Sequence, residues 1–448
     1  MMKRPMAMFE RAMYLEGSLY MNVMITVRIR GSLKEQQLRH ALARIQEKHG
    51  TLRCLIVQEG GRPYFVEQAQ PPAIPIRIVE RSSDDDWFDV SMQDSLQRFD
   101  GSKLPLARLV WLRGELEHEL LLICSHALCD GKSLLLLLQQ ILQLCDQPDA
   151  DIGTPTTLNS LEEVFPSKVL ADRGLRRHIR WRVALLKLTM KFTPLSKQRW
   201  TYGDIYRSLW QLDEQISQSL IARCRAEGVS VFAALAVAFL QAFEHVCGLE
   251  WIEMFEGSID VRRYLPGLRT DSLFAVAPTI QLSLRKLGGL EGASSDFWTL
   301  ARAMKQDMVK KIECQEAVTF KLFLGLEQLH DKYDRMLAQA QSKRAGRKVT
   351  LSYVGKLDLE TNYSNFFLQD VCDISGMFSP TPANLVVVYS FAGRFYFSLS
   401  SDESSLPYKK AMQIRHQVVD ILTLCTTTQQ TATMVQADMP TSEPARVS

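Results

Sequence analysis

Between Val23 and Ile29 apolar side chains alternate with mixed ones, the period-two signature of a half-buried strand. The pattern changes at Ser32-Leu33-Lys34-Glu35, which has the form of a capping box, and Leu38, Leu42 and Ile45 then recur on one helical face. Gly50 is expected to end that helix, with a strand over 52–57 after it. Residues 106–112 and 119–125 read as two strands joined by a turn near Gly114. Residues 133–144 read as a leucine-rich helix.

The pattern restarts in the second half. A strand is expected over 205–212, a helix capped by Asp213 that runs to Gly228, and a very apolar helix over 231–246 capped by Ser230. Strands near 252–259 and 275–284, a helix over 297–314, a Lys/Arg/Gln-rich loop around 338–348, and strands over 349–354, 384–391 and 393–400 follow. The last helix is expected over 409–425. Helices and strands mix in both halves, in related layouts. The reading is therefore a mixed α/β chain with domains at 1–145 and 201–425, a linker at 146–200, and a polar, disordered tail at 426–448.

Composition changes this picture little. The chain has 448 residues, 46% hydrophobic and 23% charged, with a formal net charge of +3. That balance demands neither nucleic acid nor a bilayer as the main partner. Met1-Met2-Lys3-Arg4 resembles the basic start of a signal peptide, but Glu10 and Arg11 interrupt the apolar run that should follow. The most apolar stretch, 120–145, carries His126, Asp130 and Lys132 and is too polar to span a bilayer. No integral membrane segment and a cytoplasmic location are expected. The nine cysteines are scattered, with no Cys-x-x-Cys pair, and fit small core residues in a reducing compartment.

The linker is where charge is uneven. Arg173, Arg176, Arg177, Arg180, Arg182, Lys187 and Lys191 crowd a segment in which Leu175, Ile179, Val183 and Leu186 share one helical side. Three readings stand: a solvated amphipathic helix across a domain junction, a docking surface for an acidic partner, and a membrane-surface helix.

The candidate chemistry lies in Ser125-His126-Ala127-Leu128-Cys129-Asp130-Gly131. A strand delivers His126 to a turn ahead of a helix, and Gly131 is expected to permit a tight backbone path. Neutral imidazole, with an ordinary pKa of ~6.5, can take a proton from a hydroxyl or amine that attacks a carbonyl. Against this stands a plain alternative, a satisfied histidine beside a core turn. Asp130 falls beside His126 in a helical turn and away from it in a tight one. A buried carboxylate needs a partner, and Arg262 or Arg263 is the best candidate. No third ligand accompanies His126 and Asp130, so a metal site is not expected. No Gly-x-Ser-x-Gly surrounds a serine either. Asp271-Ser272-Leu273 mimics a phosphopantetheine attachment site but sits between Pro266 and Pro278 rather than in a helical bundle.

His126, Asp130 and Gly131 form a His-x-x-x-Asp-Gly motif after a strand, and with it the sequence resembles the thioester-dependent acyltransferase superfamily. That group includes nonribosomal condensation domains, polyketide-associated and alcohol acyltransferases, plant BAHD enzymes and chloramphenicol acetyltransferase. Weaker features agree in order: His49-Gly50-Thr51-Leu52-Arg53, Ser133, Gly228-Val229-Ser230, Asp260-Val261-Arg262 and Ser352-Tyr353-Val354-Gly355. The resemblance covers about residues 8–425. It implies two chloramphenicol-acetyltransferase-like domains in a V with a tunnel between them. It also implies His126 as general base, Asp130 as a structural residue paired with Arg262, and a backbone amide near Gly131 as oxyanion donor. No permanently bound cofactor is implied. The donor would be acyl-CoA or an acyl-carrier protein, the acceptor an alcohol or amine, and the setting polyketide, lipid or nonribosomal biosynthesis.

Three departures refine this. Peptide-forming condensation domains usually carry two adjacent histidines, and Ser125 takes the place of the first, which tilts the reading toward ester formation. The BAHD Asp-Phe-Gly-Trp-Gly motif is absent. Tyr353 stands where Asn is common. An amide-forming condensation enzyme and a silent carrier-protein-binding module remain the alternatives.

Overall fold

The computed structural model describes residues 2–17, 21–103, 105–158, 160–195, 203–252, 255–275, 278–284, 296–342, 348–377 and 383–437. The first half runs β1 (Lys3–Pro5), α1 (Met8–Tyr14), β2 (Asn22–Gly31), α2 (Glu35–Lys48), β3 (Cys54–Glu59), β4 (Arg62–Glu67), β5 (Ile76–Glu80), α3 (Asp86–Ser95), β6 (Ala107–Arg113), β7 (Glu117–Ser125) and α4 (Gly131–Asp146). The linker holds α5 (Ser167–Ala171) and α6 (Arg173–Phe192). The second half runs β8 (Ile205–Gln211), α7 (Glu214–Ala226), α8 (Val231–Cys247), α9 (Leu249–Ile252), β9 (Phe255–Ser258), β10 (Thr279–Gln281), α10 (Phe297–Glu313), α11 (Gln315–Leu326), α12 (Tyr333–Ala340), β11 (Lys348–Lys356), β12 (Phe366–Met377), β13 (Ala383–Phe391), β14 (Arg394–Asp402) and α13 (Tyr408–Ala437).

Two large sheets carry the halves. One has the order β12-β2-β7-β6-β5, the other β10-β9-β11-β13-β14-β8, and a small third sheet is β1-β4-β3. Leu120 to Cys124 are buried side by side in β7 because this central strand is covered on both faces. Helix α8 is apolar over most of its length, and its residues 233–240, 242 and 243 are buried in the second core. Strand β13 is shared by two cores: Val386 and Val388 pack into the second, while Leu385, Val387 and Tyr389 pack into the first. The face of the second sheet that α8 does not cover is therefore turned toward the first half.

The first half does not complete its own sheet. β12, from the second half, pairs antiparallel with β2 from Phe366 opposite Gly31 to Met377 opposite Asn22. The two-domain reading places residues 366–377 in the second domain, whereas their hydrogen bonds place them in the first sheet. A buried ion pair secures the junction. Arg207 on β8 meets Asp373 on β12 at 3.0 Å, both side chains wholly buried, and Arg207 also donates to Ser91 Oγ at 3.2 Å.

Several local expectations need correction. Helix α2 is capped at Lys34, whose backbone N–H is reached by Gln37 Oε1 at 2.9 Å. The Ser32–Glu35 box does not form, because the Ser32 amide donates instead to Asn365 O at 2.9 Å beside β12. The end of the helix is as expected: it stops at Lys48, with His49 as its C-cap and Gly50 directly after. Part of the expected 338–348 loop is the end of α12, and residues 343–347 lie outside the described residues. Helix α13 runs past residue 425 to Ala437, so 426–437 is helical, and 438–448 lie outside the described residues. Among the described residues no single helix is long and apolar enough to cross a membrane.

Candidate active site

Strand β7 ends at Ser125, and the chain turns at once. The His126 amide donates to Met21 O at 2.8 Å, and Leu128 N to Ser125 O at 2.9 Å, which lifts residues 126–128 off the sheet edge. The Ser125 hydroxyl is buried and accepts from the Ala127 amide at 3.4 Å, inside the turn. His126 is 4% exposed, yet its side chain is not sealed in packing: it lines a cavity of about 350 Å³ between the halves. Burial pulls its imidazole below the ordinary 6.5, against backbone hydrogen bonding in its own turn and the nearby Asp130 charge. The ring is neutral at pH 7.

Asp130 points another way. It is the N-cap of α4 and accepts from the Ser133 amide and the Ser133 hydroxyl, both at 2.9 Å. Its two oxygens receive Arg262 Nη2 at 2.9 Å and Nε at 3.1 Å, a bidentate pair. Arg262 also reaches Ser133 Oγ at 2.7 Å, Phe274 O at 3.1 Å and Ser272 O at 3.3 Å. The Asp130 amide donates to Phe274 O at 3.2 Å. The turn after His126 is thus fastened to the 262–274 loop of the second half. Arg263 instead lies against Tyr264, donating to its hydroxyl at 2.7 Å.

Gly131 is not required by backbone conformation. It is the first residue of α4, its φ is not positive, and a Cβ built there meets nothing within 4 Å. The expected tight path is corrected: the glycine keeps open the cavity that it lines. As first-turn amides, Gly131 N and Lys132 N have no intrahelical acceptor.

The far wall comes from the second sheet, and of its residues the motif-like segment of the sequence supplies Ser352, Tyr353 and Val354. Lys348, Thr350 and Ser352 of β11 line the cavity, while Val349 and Leu351 between them are fully buried in the second core. Glu256 and Ser258 of β9 do the same beside Phe255 and Gly257. Ser258 Oγ donates to Ser352 Oγ at 3.0 Å. Tyr353 also lines the cavity, stacked on Phe232 with ring centroids 6.0 Å apart, and burial raises its phenol above the usual range. Period-two alternation was the available signal, but alternation does not say which face meets a cavity. Met13, Met21, Ile374 and Val387 make much of the remaining wall apolar. Lys132 meets Asp260 at 2.6 Å across the rim, and Lys348 meets Glu256 at 2.9 Å, so the wall's cations are paired.

The other motif-like residues are structural. His49 is fully buried, with Nδ1 on Thr156 Oγ1 at 3.0 Å and Nε2 on Gln140 Oε1 at 2.7 Å. Burial brings its pKa down to about 4. Asp271 is tied to Arg269 at 2.9 Å and Lys48 at 3.1 Å in a loop, and among the described residues no helical bundle surrounds Ser272. Among the described residues no three His, Cys, Asp or Glu gather as metal ligands.

Comparison with known proteins agrees with this architecture. The family model described as Condensation domain matches residues 6–159. A cyclosporin synthetase of Tolypocladium inflatum is 27% identical over 244 residues, which cover 53% of this chain and 2% of that protein. The chain thus spans a small fraction of the length of the curated relatives it matches. Among solved structures, a trichothecene 15-O-acetyltransferase of Fusarium sporotrichioides superposes with a TM-score of 0.69 at 11% identity, over 94% of this chain and 95% of that one. The polyketide synthase associated protein 5 of Mycobacterium tuberculosis does so with 0.60 at 17% identity, over 94% and 98%. These last two likenesses are of fold. Residues 6–159 thus match the Condensation domain family model, and nearly the whole chain shares the fold of these two structures.

Proposed function

We propose that this protein is an acyltransferase that moves an acyl group from a CoA or carrier-protein thioester to a hydroxyl acceptor, with His126 as general base. The observation that carries the reading is a neutral imidazole on the wall of a cavity between the halves, beside a carboxylate already held by Arg262. Asp130 is then a positioning residue that fixes the turn, not a partner of the base.

The chemistry follows from these groups. His126 takes the acceptor proton as the oxygen attacks the thioester carbonyl. The amide near Gly131 receives the developing oxyanion, in a site where a fixed dipole is worth more than in water. The tetrahedral species collapses, the C–S bond breaks and the acyl group stays on the acceptor. The imidazolium returns its proton to the leaving sulfur. A thiol of pKa ~8.5 leaves readily, so one base serves both steps and no acyl-enzyme forms. A cavity of about 350 Å³ with an apolar wall and paired charges suits a small, uncharged acceptor.

Ser125 beside His126 favours the ester. The similarity to peptide synthetases favours a second reading, amide formation on an amine acceptor. The deciding experiment offers acyl-CoA and acyl-carrier donors with simple alcohols and amines, read by mass spectrometry, to the wild type and to His126→Ala. Ester products that fall about 10²–10⁴-fold in the variant, with unfolding unchanged, are expected. Amide products would move the reading to condensation. Equal product from both proteins would remove His126 from the mechanism. No product from either, with carrier binding intact, would favour a silent carrier-binding module.

A further inference from the structure

Helix α6 has two apolar stripes, and only one of them is used. Ile179 and Val183 are buried against α11, where Gly325 faces both. The second stripe is Trp181, Leu185, Leu188 and Phe192, at spacings of four, three and four residues. At about 100° per residue these four share an arc of roughly 60°, centred some 170° round the helix from the buried pair. They are 64%, 47%, 50% and 79% exposed. Val318 and Leu322 of α11, 47% and 43% exposed, extend the same apolar face across a groove that Trp181 and Leu185 also line.

Charge frames this face. Residues 173–192 hold seven Lys or Arg and no Asp or Glu. By helical geometry Arg177 and Lys191 flank the exposed stripe on one side and Arg182 on the other, and all three are exposed. The helix is held in place rather than dangling. Asp172 caps its start by accepting from Leu175 N at 2.9 Å, Lys187 pairs with Asp331 at 2.7 Å, and Arg335 donates to Thr193 O.

We propose that α6 and the exposed edge of α11 form a docking face for the surface of an anionic lipid bilayer. Bulky Trp, Leu and Phe side chains between flanking cations, with no acid along the helix, are what an interfacial helix needs: apolar groups for the acyl boundary and positive charge for the headgroups. The stripe overruns the groove, because Leu188 and Phe192 project beyond the residues that line it. A plane covers such a stripe more completely than a ligand seated in the groove. The proposal is independent of the acyl-transfer reading.

The test is vesicle co-sedimentation of the full chain. Vesicles of phosphatidylcholine alone are compared with vesicles containing about a third phosphatidylglycerol. Binding at least tenfold stronger to the anionic vesicles, weakened by salt, is expected. Trp181→Ser with Phe192→Ser should lower that binding tenfold or more while circular dichroism and the unfolding midpoint hold. Arg177→Glu with Lys191→Glu should abolish the preference for anionic lipid. Absence of vesicle binding, or binding untouched by the Trp181/Phe192 pair, overturns the proposal. So does a lipid-free dimer that the same pair dissolves in the absence of vesicle binding, which would assign the face to a second copy.

Discussion

Removing Arg262 tests how the turn at His126 is held. Arg262→Ala deletes the bidentate pair to Asp130 and the bonds to Ser133 Oγ, Ser272 O and Phe274 O. Breaking a fully buried pair by removing one partner costs about 3–5 kcal/mol. Asp130 keeps both Ser133 bonds and the start of α4, and its side chain is 12% exposed, so about 2–3 kcal/mol is expected here. Urea unfolding measures it. A double-mutant cycle with Asp130→Asn should return a coupling of about 1–3 kcal/mol. None of the Arg262 bonds reaches His126, so turnover should persist at reduced rate. Its pH profile should also change: with the guanidinium gone, the Asp130 charge acts on the imidazole unopposed, and the acid limb of kcat/KM moves up from below 6.5 toward that value. Arg262→Lys should restore charge without the two-point grip and recover part of both effects. Unaltered unfolding with abolished turnover would refute the reasoning and make Arg262 part of the reaction.

Gly131→Leu should leave unfolding within about 0.5 kcal/mol of wild type, since the site is open, yet lower kcat/KM tenfold or more by filling the cavity; lost stability with normal kinetics would contradict this. His49 titrates at about 4 in the folded chain against ~6.5 unfolded, so the unfolded state takes up the proton first. The stabilisation it gives is whole above pH 6.5 and is lost as pH falls to about 4, some 3 kcal/mol in all, and His49→Gln should flatten that pH dependence of the urea midpoint. Asp373→Ala strands the buried Arg207 guanidinium and should cost about 3–5 kcal/mol in urea unfolding, most of it regained by adding Arg207→Met.

The turn at His126 was legible because its flanks are strongly patterned: a buried apolar run before it and a leucine-rich helix after it. That Asp130 would meet a cation was legible from a need, since a carboxylate out of water requires one, but the need left Arg262 and Arg263 open and only the family resemblance singled out Arg262. Strand β12 was not. Its pairing with β2 shifts register between Leu368 and Asp370 and again between Val371 and Asp373. Each irregularity resets which side chains face inward, and the fully buried Asp373 makes the segment read as polar. Ser32 misled for a related reason: its amide is claimed by Asn365, more than three hundred residues away, which local spacing does not reveal. The serine and threonine wall of the cavity follows from alternation only once the two sheets have been set face to face.

The late arrival of β12 has a cost during synthesis. Gly31 waits for Phe366, and Asn22 for Met377, so the outer edge of β2 stays unpaired while some 335 residues are made. At roughly 5–20 residues per second that interval is on the order of tens of seconds. Throughout it a long, largely apolar strand offers open amides and carbonyls to any neighbouring chain on the same polysome. The nascent protein therefore depends on whatever shields that rim until its own distant segment emerges.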